Sequence, residues 1–236
     1  MSEVKDVRRG FDPKDDVLFR GKALTTLRDA LSDLSYLAEH DYNVRSALTL
    51  VGDHYRLVDR QRLYLFRVLA TKAQRVSRKA RELSTLQGKK VHVDGFNTII
   101  TLETFLSGSM TYRSMDGTVK DLAGLRGSYR IITKTESAIR IALESLQSAG
   151  ASSVLFLFDS QVSNSGNMVK LVREVGASFP FSVDAQTDPA VDHLLADEKC
   201  IVTSDSVLLD KCSNWYNLVG RIASSMTSAW VVPLLF

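Results

Sequence analysis

Three apolar runs in the C-terminal part of the chain each stop at an aspartate. Asp94 follows Lys90-Val-His-Val93, Asp159 follows Val154-Leu-Phe-Leu-Phe158 and Asp205 follows Cys200-Ile-Val-Thr-Ser204. A run as apolar as 154–158 needs cover on both faces, which is the condition of a strand in a parallel sheet. Strands of such a sheet end on one shared rim, so a carboxylate closing each run is delivered to that rim. Asp188 and Asp192 lie between the second and third runs and add two more. Several carboxylates on one rim supply the oxygens a hard dication takes, and a dication so held cleaves phosphodiesters.

The segments between the runs carry helical spacing. Glu136–Ala149 places Ala138, Ile139, Ala142, Leu143 and Leu146 on one face and is closed by Gly150. Asn167–Val175 reads as a helix ended by Gly176, Phe179–Val183 as a short strand, and Pro189–Leu195 as a helix with Asp188 at its N-cap. Asn97–Leu106 is helical, 108–127 is a glycine-rich loop, Ser206–Cys212 is a helical turn and Trp230–Pro233 is a last strand. Strands alternating with helices give an α/β architecture with a central, mostly parallel sheet.

Residues 1–88 have a different pattern. Residues 23–39 have the spacing of an amphipathic helix, 44–51 start a second element that Gly52 interrupts, and Leu57–Leu83 reads as one long helix or two. In that last stretch Leu63, Phe66, Leu69, Ala70 and Ala73 are expected on the buried side, with Arg62, Arg67, Arg75, Arg78 and Lys79 mostly exposed. The boundary falls at Leu86-Gln-Gly88, which divides the chain into a basic helical domain, 1–88, and an α/β domain, 89–236.

Charge divides the same way. The net charge is +3, but residues 1–90 hold 19 Lys and Arg against 12 Asp and Glu, while 91–236 hold 11 against 15. A positive module that grips a polyanion beside an acidic one that holds metal fits this asymmetry; a solvated basic helix beside an ordinary acidic domain fits it as well. No apolar run is long enough for a membrane span, and Met1–Arg9 lacks the apolar core of a secretion signal. Cys200 and Cys212, with no cysteine framework around them, read as reduced thiols of a cytoplasmic protein.

Asp94, Asp192 and Asp205 are the leading candidates for a Mg²⁺ or Mn²⁺ shell. Gly95 permits a close turn after Asp94, and Asn97 is placed to orient the carboxylate or touch phosphate. Asp205 is flanked by the hydroxyls of Ser204 and Ser206, and is equally readable as an N-cap. Asp188 and Asp192, four apart on one expected helix face, would repel unless a cation lay between them. Asp159 opens a polar loop, 160–166. Asp184, Asp121 and Glu103 read as loop or surface residues, and His92 and His193 as structural.

These motifs resemble the PIN-like nuclease superfamily, particularly its NYN branch. The residues that carry the likeness are Asp94 in Val93-Asp-Gly-Phe-Asn97, Asp192 in Ala190-Val-Asp-His-Leu-Leu195, Asp205 in Val202-Thr-Ser-Asp-Ser206, and Asp159 after the central strand. They span about residues 89–215. The segment Leu50-Val-Gly-Asp-His-Tyr-Arg-Leu-Val-Asp-Arg-Gln-Arg62 resembles a small domain of archaeal and bacterial proteins. The resemblance implies a three-layer PIN-like domain and a metal-dependent ribonuclease. Asp94, Asp192, Asp205 and Asp159 would be its catalytic residues, with Asp188 in the metal shell. Segment 107–130 is longer and richer in glycine than a minimal domain of that kind.

On this expectation Asn97 and Ser204 contact substrate while Arg56, Arg60, Arg62 and Arg67 hold RNA phosphates, single-stranded or structured, without reading sequence. Tyr55, Tyr64 and Phe66 are either stacking platforms or core. The rival reading is a non-catalytic nucleic-acid-binding or scaffolding protein whose acidic rim is idle. The apolar tail Trp230–Phe236 is either a core strand or an edge facing a partner, and a homodimer is left open.

Overall fold

A computed structural model describes residues 7–124, 127–226 and 229–235. Residues 1–6, Leu125 and Arg126 of the glycine-rich segment, Thr227 and Ser228, and Phe236 of the apolar tail lie outside the described residues.

The chain starts with five helices: α1 (Asp15–Leu18), α2 (Gly21–Glu39), α3 (Val44–His54), α4 (Asp59–Val68) and α5 (Lys72–Ala80). Leu27, Ala30, Leu31 and Leu34 of α2 bury against Ala47 and Val51 of α3 and Tyr64, Leu65 and Val68 of α4. The side chain of Asn43 caps α3, and Thr71 caps α5 in a reciprocal arrangement with Gln74. Gly52 does not interrupt α3, because its missing side chain makes room for the Arg62 guanidinium.

The helical face expected for Leu57–Leu83 is corrected. Leu69 and Ala70 sit between two helices rather than within one, and the break rotates α5 relative to α4. Leu63, Phe66 and Ala73 are exposed, whereas Tyr64, Leu65, Val68 and the guanidinium of Arg78 are buried.

The remainder is mixed α/β, and about half of the whole chain is helical. Its elements are β1 (Lys90–Asp94), α6 (Gly95–Leu106), β2 (Thr111–Arg113), β3 (Val119–Asp121), α7 (Thr135–Ser148), β4 (Ser153–Asp159), α8 (Ser165–Gly176), β5 (Ser182–Asp188), α9 (Val191–Asp197), β6 (Ile201–Val202), α10 (Ser206–Lys211), α11 (Leu218–Ser225) and β7 (Val231–Val232). Four strands form a parallel sheet in the order β5-β4-β1-β6. One face packs on α6, α7, α8 and α11 through Val93, Phe156 and Phe158; the other packs on α9 and α10 through Leu157 and Ile201. The chain moves from β1 outward through β4 to β5, then returns to place β6 on the opposite side of β1. The strand order therefore reverses between β1 and β6, where a crevice opens beyond the strand ends.

Two further expectations change. The glycine-rich segment contains a hairpin, β2 with β3, which forms a second sheet with β7. Met110, Tyr112, Met115, Leu122, Val232 and Leu235 from this sheet and its flanks share the core of the N-terminal helices. The strand expected at Phe179–Val183 begins instead at Ser182 and runs to Asp188; Phe179 and Phe181 pack edge-on ahead of it, ring centres 5.8 Å apart.

Candidate functional site

Asp94 is the last residue of β1 and occupies the N-cap position of α6. The turn is tight: a Cβ on Gly95 would lie 2.5 Å from Phe158 Cε1 and 2.7 Å from the Leu157 carbonyl oxygen, so only glycine fits. On the adjacent strand end, Thr203 Oγ1 donates to Asp94 Oδ2 at 2.8 Å and accepts from the Asp205 N–H at 3.0 Å. Asn97 Oδ1 accepts from both the N–H and the hydroxyl of Ser204, at 2.9 and 2.8 Å. These side chains lace the end of β1 to the loop after β6, across the reversal of strand order. Asp205 is the N-cap of α10, its Oδ1 accepting from the N–H groups of Val207 and Leu208 at 2.8 and 3.1 Å.

A cleft of about 800 Å³ opens here, lined by Asp94, Asn97, Asp159, Asp192 and Asp205 together with Gln161 and His193. The topology brings four of the five rim aspartates to one opening. Asp188 is the exception, and its expected geometry is corrected. It ends β5, in register with Asp159, and its Oδ1 accepts from the Ala190 N–H at 2.7 Å. The helix starts after it, at Val191, so Asp188 and Asp192 do not share a helix face. The repulsion argued for that pair has no basis in this geometry.

Electrostatic strain instead centres on Asp94. Burial pushes its carboxyl up to about 7, with the charges of Asp205 and Asp192 adding to the rise and the Thr203 hydroxyl opposing it. Burial, then Asp205 and Asp159, raise Asp192 in the same direction. Among the described residues no three His, Cys, Asp or Glu side chains already stand around a common metal position. The four lining carboxylates are near enough for their charges to act on one another.

The expected RNA contacts fare unevenly. Arg56 is exposed. Arg60 is bound to Asp15 through Nε and Nη2 at 2.5 and 2.7 Å, and Arg62 to Asp53 and the carbonyls of Leu57 and Thr49. These two arginines hold the helices together, which corrects their role as phosphate contacts. Arg67 donates to the Asp121 carbonyl at 2.9 Å and lines a second pocket, of about 460 Å³, beside the cleft. Tyr64 is core and Tyr55 donates to Asp33 at 2.8 Å, while Phe66 is 42% exposed at the second pocket.

Glu103, expected on a surface, is fully buried and accepts from Arg9 Nε at 2.8 Å, the Tyr129 hydroxyl at 2.6 Å and Thr135. His92 lies on β1 with Nδ1 3.2 Å from Glu198, away from the cleft, whereas His193 is exposed on the cleft wall rather than packed.

Lys120 escapes the sequence reading. It is 8% exposed on β3, donates to Ser206 Oγ at 2.7 Å, and burial pulls its amine below the ordinary lysine range. The signal that could have found it is the hairpin dipeptide Asp116-Gly117 between Thr111-Tyr-Arg113 and Thr118-Val-Lys120.

Residues 83–221 match a family described as a domain of unknown function (DUF5616), and residues 26–81 match a family described as a protein of unknown function (DUF434). The chain is 30% identical over 203 residues to the uncharacterized protein MJ0935 of Methanocaldococcus jannaschii, an alignment covering 85% of this chain and 97% of that one. No solved structure matches the chain. No helix among the described residues is long and apolar enough to cross a membrane.

Proposed function

The chain belongs to the DUF5616 family, and from the geometry of its cleft we propose that it is a divalent-metal-dependent ribonuclease with a PIN-like three-layer domain. The observation that carries the reading is the meeting of Asp94, Asp159, Asp192 and Asp205 on one cleft at the reversal of strand order. In open parallel sheets, ligands are bound in the crevice beyond the strand ends at such a point. The donor set is all oxygen, unpaired by any arginine or lysine within ion-pair distance among the described residues, and strained by its own charge. That combination fits Mg²⁺ or Mn²⁺, held by Asp94, Asp192 and Asp205 with Asp159 beside them.

When bound, the metal supplies positive charge opposite the phosphoryl oxygens and acidifies water. The protein's own groups fix the rest. The Asn97 carbonyl oxygen is taken up by Ser204, so its amide N–H groups are the donors it can offer a phosphate oxygen at the cleft it lines. Ser204 serves substrate through Asn97. Thr203 holds Asp94 in place and lowers the cost of ionising it. Arg56 is exposed for a phosphate further along the strand.

The test is cleavage of labelled single-stranded RNA with Mn²⁺, Mg²⁺ or EDTA by the wild type, Asp94→Asn and Asp205→Asn. Asparagine caps helices as well as aspartate does, so Asp205→Asn keeps α10 and removes only the charge. Metal-dependent cleavage lost in both variants supports the reading. RNA binding without cleavage in any metal would sink it in favour of the non-catalytic binder.

A further inference from the structure

The pocket of about 460 Å³ beside the cleft has no part in the chemistry just described. Its walls come from both halves of the chain: Phe66 and Arg67 from α4, Lys120 from β3, and Ser206 from the start of α10. Asn97 and Asp205 line this pocket and the carboxylate cleft alike, so the two adjoin.

Its charges are not all spent internally. Arg78 is taken up by Asp210 and Asp116, at 2.6 to 2.8 Å. The Asp121 carboxylate accepts from the Thr101 hydroxyl and the Ala123 N–H, both at 2.7 Å, and Asp205 caps its helix. Lys120 and Arg67 differ: neither forms an ion pair among the described residues. The Lys120 ammonium has Ser206 Oγ at 2.7 Å and the Arg67 carbonyl at 3.4 Å, which leaves one of its three N–H donors. The Arg67 guanidinium gives one N–H to the Asp121 carbonyl. Lys120 is buried with Asp116 as its nearest opposing charge and Arg67 is half-buried, so the donors they leave at the pocket wall are placed to take an anion. Phe66, 42% exposed, and Val207, 57% exposed, supply an apolar wall at the same pocket.

We propose that this pocket receives one nucleotide of the RNA strand being cut, its phosphate on Lys120 and Arg67 and its base against Phe66. The assignment rests on the ribonuclease reading and adds to it the place of the neighbouring nucleotide. A phosphate suits two converging cations, and an aromatic wall accepts any base, so the pocket orients the strand without reading its sequence.

The experiment is RNA binding by the full chain in EDTA, where no cleavage occurs, measured by anisotropy of a short 5′-labelled single strand. Lys120→Gln and Arg67→Gln are each expected to weaken binding about tenfold, and Phe66→Ala about five-fold or more. Lys120→Arg should restore most of the loss, which separates lost charge from a damaged fold. A nucleoside 5′-monophosphate should displace the strand at lower concentration than inorganic phosphate. Wild-type affinity in Lys120→Gln, Arg67→Gln and Phe66→Ala overturns the inference, as does equal displacement by the two competitors. The two proposals fail separately. Cleavage unaffected by these substitutions removes the pocket and keeps the nuclease, while the binding losses without any metal-dependent cleavage keep the pocket and remove the nuclease.

Discussion

Thr203 Oγ1 donates to Asp94 Oδ2 at 2.8 Å, so the loop after β6 holds the carboxylate that ends β1. One hydroxyl thereby ties together two residues that are 109 positions apart. Thr203→Val keeps the shape and removes the tie. Partners that orient a metal-binding side chain are worth about 10–100-fold in metal affinity. Calorimetric titration with Mn²⁺ should show a loss in that range for Thr203→Val and near-wild-type binding for Thr203→Ser. Equal affinity in all three would remove Thr203 from any positioning role.

Asp94 should make the metal-free protein less stable as pH rises. Its carboxyl is pushed up to about 7 in the fold, by burial first and then by Asp205 and Asp192, from an ordinary value near 4. A carboxyl raised in this way is protonated preferentially in the folded chain. Its favourable contribution is whole below pH ~4 and is lost as pH climbs through 7. Asp94→Asn, neutral throughout, escapes that loss. In EDTA the variant should match the wild type near pH 3.5 and exceed it at pH 8 by up to about 4 kcal/mol in urea denaturation. Adding Mn²⁺ should then raise the melting temperature of the wild type more than that of the variant. A variant destabilised equally at both pH values would contradict the strain described for Asp94.

Arg78 is the buried link between α5, the β2–β3 hairpin and α10, with Nη1 2.6 Å from Asp116 Oδ2 and Nε 2.7 Å from Asp210 Oδ1. Asp116 sits at about 2: burial favours its neutral form, but Lys120 and the hydroxyls of Ser114 and Thr118 outweigh that. Arg78→Met strands this carboxylate without its nearest cation, and breaking a buried pair from one side costs about 3–5 kcal/mol. Arg78→Met combined with Asp116→Asn should lose clearly less than the two single changes added together. Additive losses in a denaturation cycle would mean that the two residues are not coupled.

The parts of this fold legible in the sequence are those whose burial is two-sided or regularly spaced. Val154–Phe158 is apolar at every position because β4 is flanked by strands and covered on both faces. The helix α7 shows itself by its spacing and by Gly150, whose φ of +88° closes it. β5 is misplaced by a sequence reading because it is an edge strand, Ser-Val-Asp-Ala-Gln-Thr-Asp, with Ala185 its only buried residue, while the aromatic pair before it carries a stronger but non-strand signal. The candidate site divides in the same way. Asp94, Asp159 and Asp205 are readable because a strand end fixes where they go. Asp188 and Asp192 are paired wrongly by their spacing because a small error in a helix start changes which residues share a face. Arg78 gives no local sign of burial and Lys120 none beyond its place after the Asp116-Gly117 turn, since what buries them is the packing of the helices against a hairpin and α10.

Gly95 is where fold and candidate site impose the same requirement. It comes directly after Asp94, and a methyl group there would stand 2.5 Å from Phe158 Cε1 and 2.7 Å from the Leu157 carbonyl oxygen. The ring could turn only by disturbing its contact with Phe96, 5.0 Å between centres, and the carbonyl belongs to the parallel sheet and moves less readily still. Gly95→Ala therefore forces the start of α6 away from β4. Overpacking of this kind costs about 1–3 kcal/mol, offset in part by the helix preference of alanine. The displacement falls on Asp94 and Asn97, so if the cleft holds metal as proposed, Mn²⁺ affinity should drop as well, although no candidate ligand has been touched. Urea denaturation and Mn²⁺ titration of one variant measure both effects. Lost stability with unchanged affinity would show that the cleft tolerates movement of β1's end, and the tight turn would then serve packing alone.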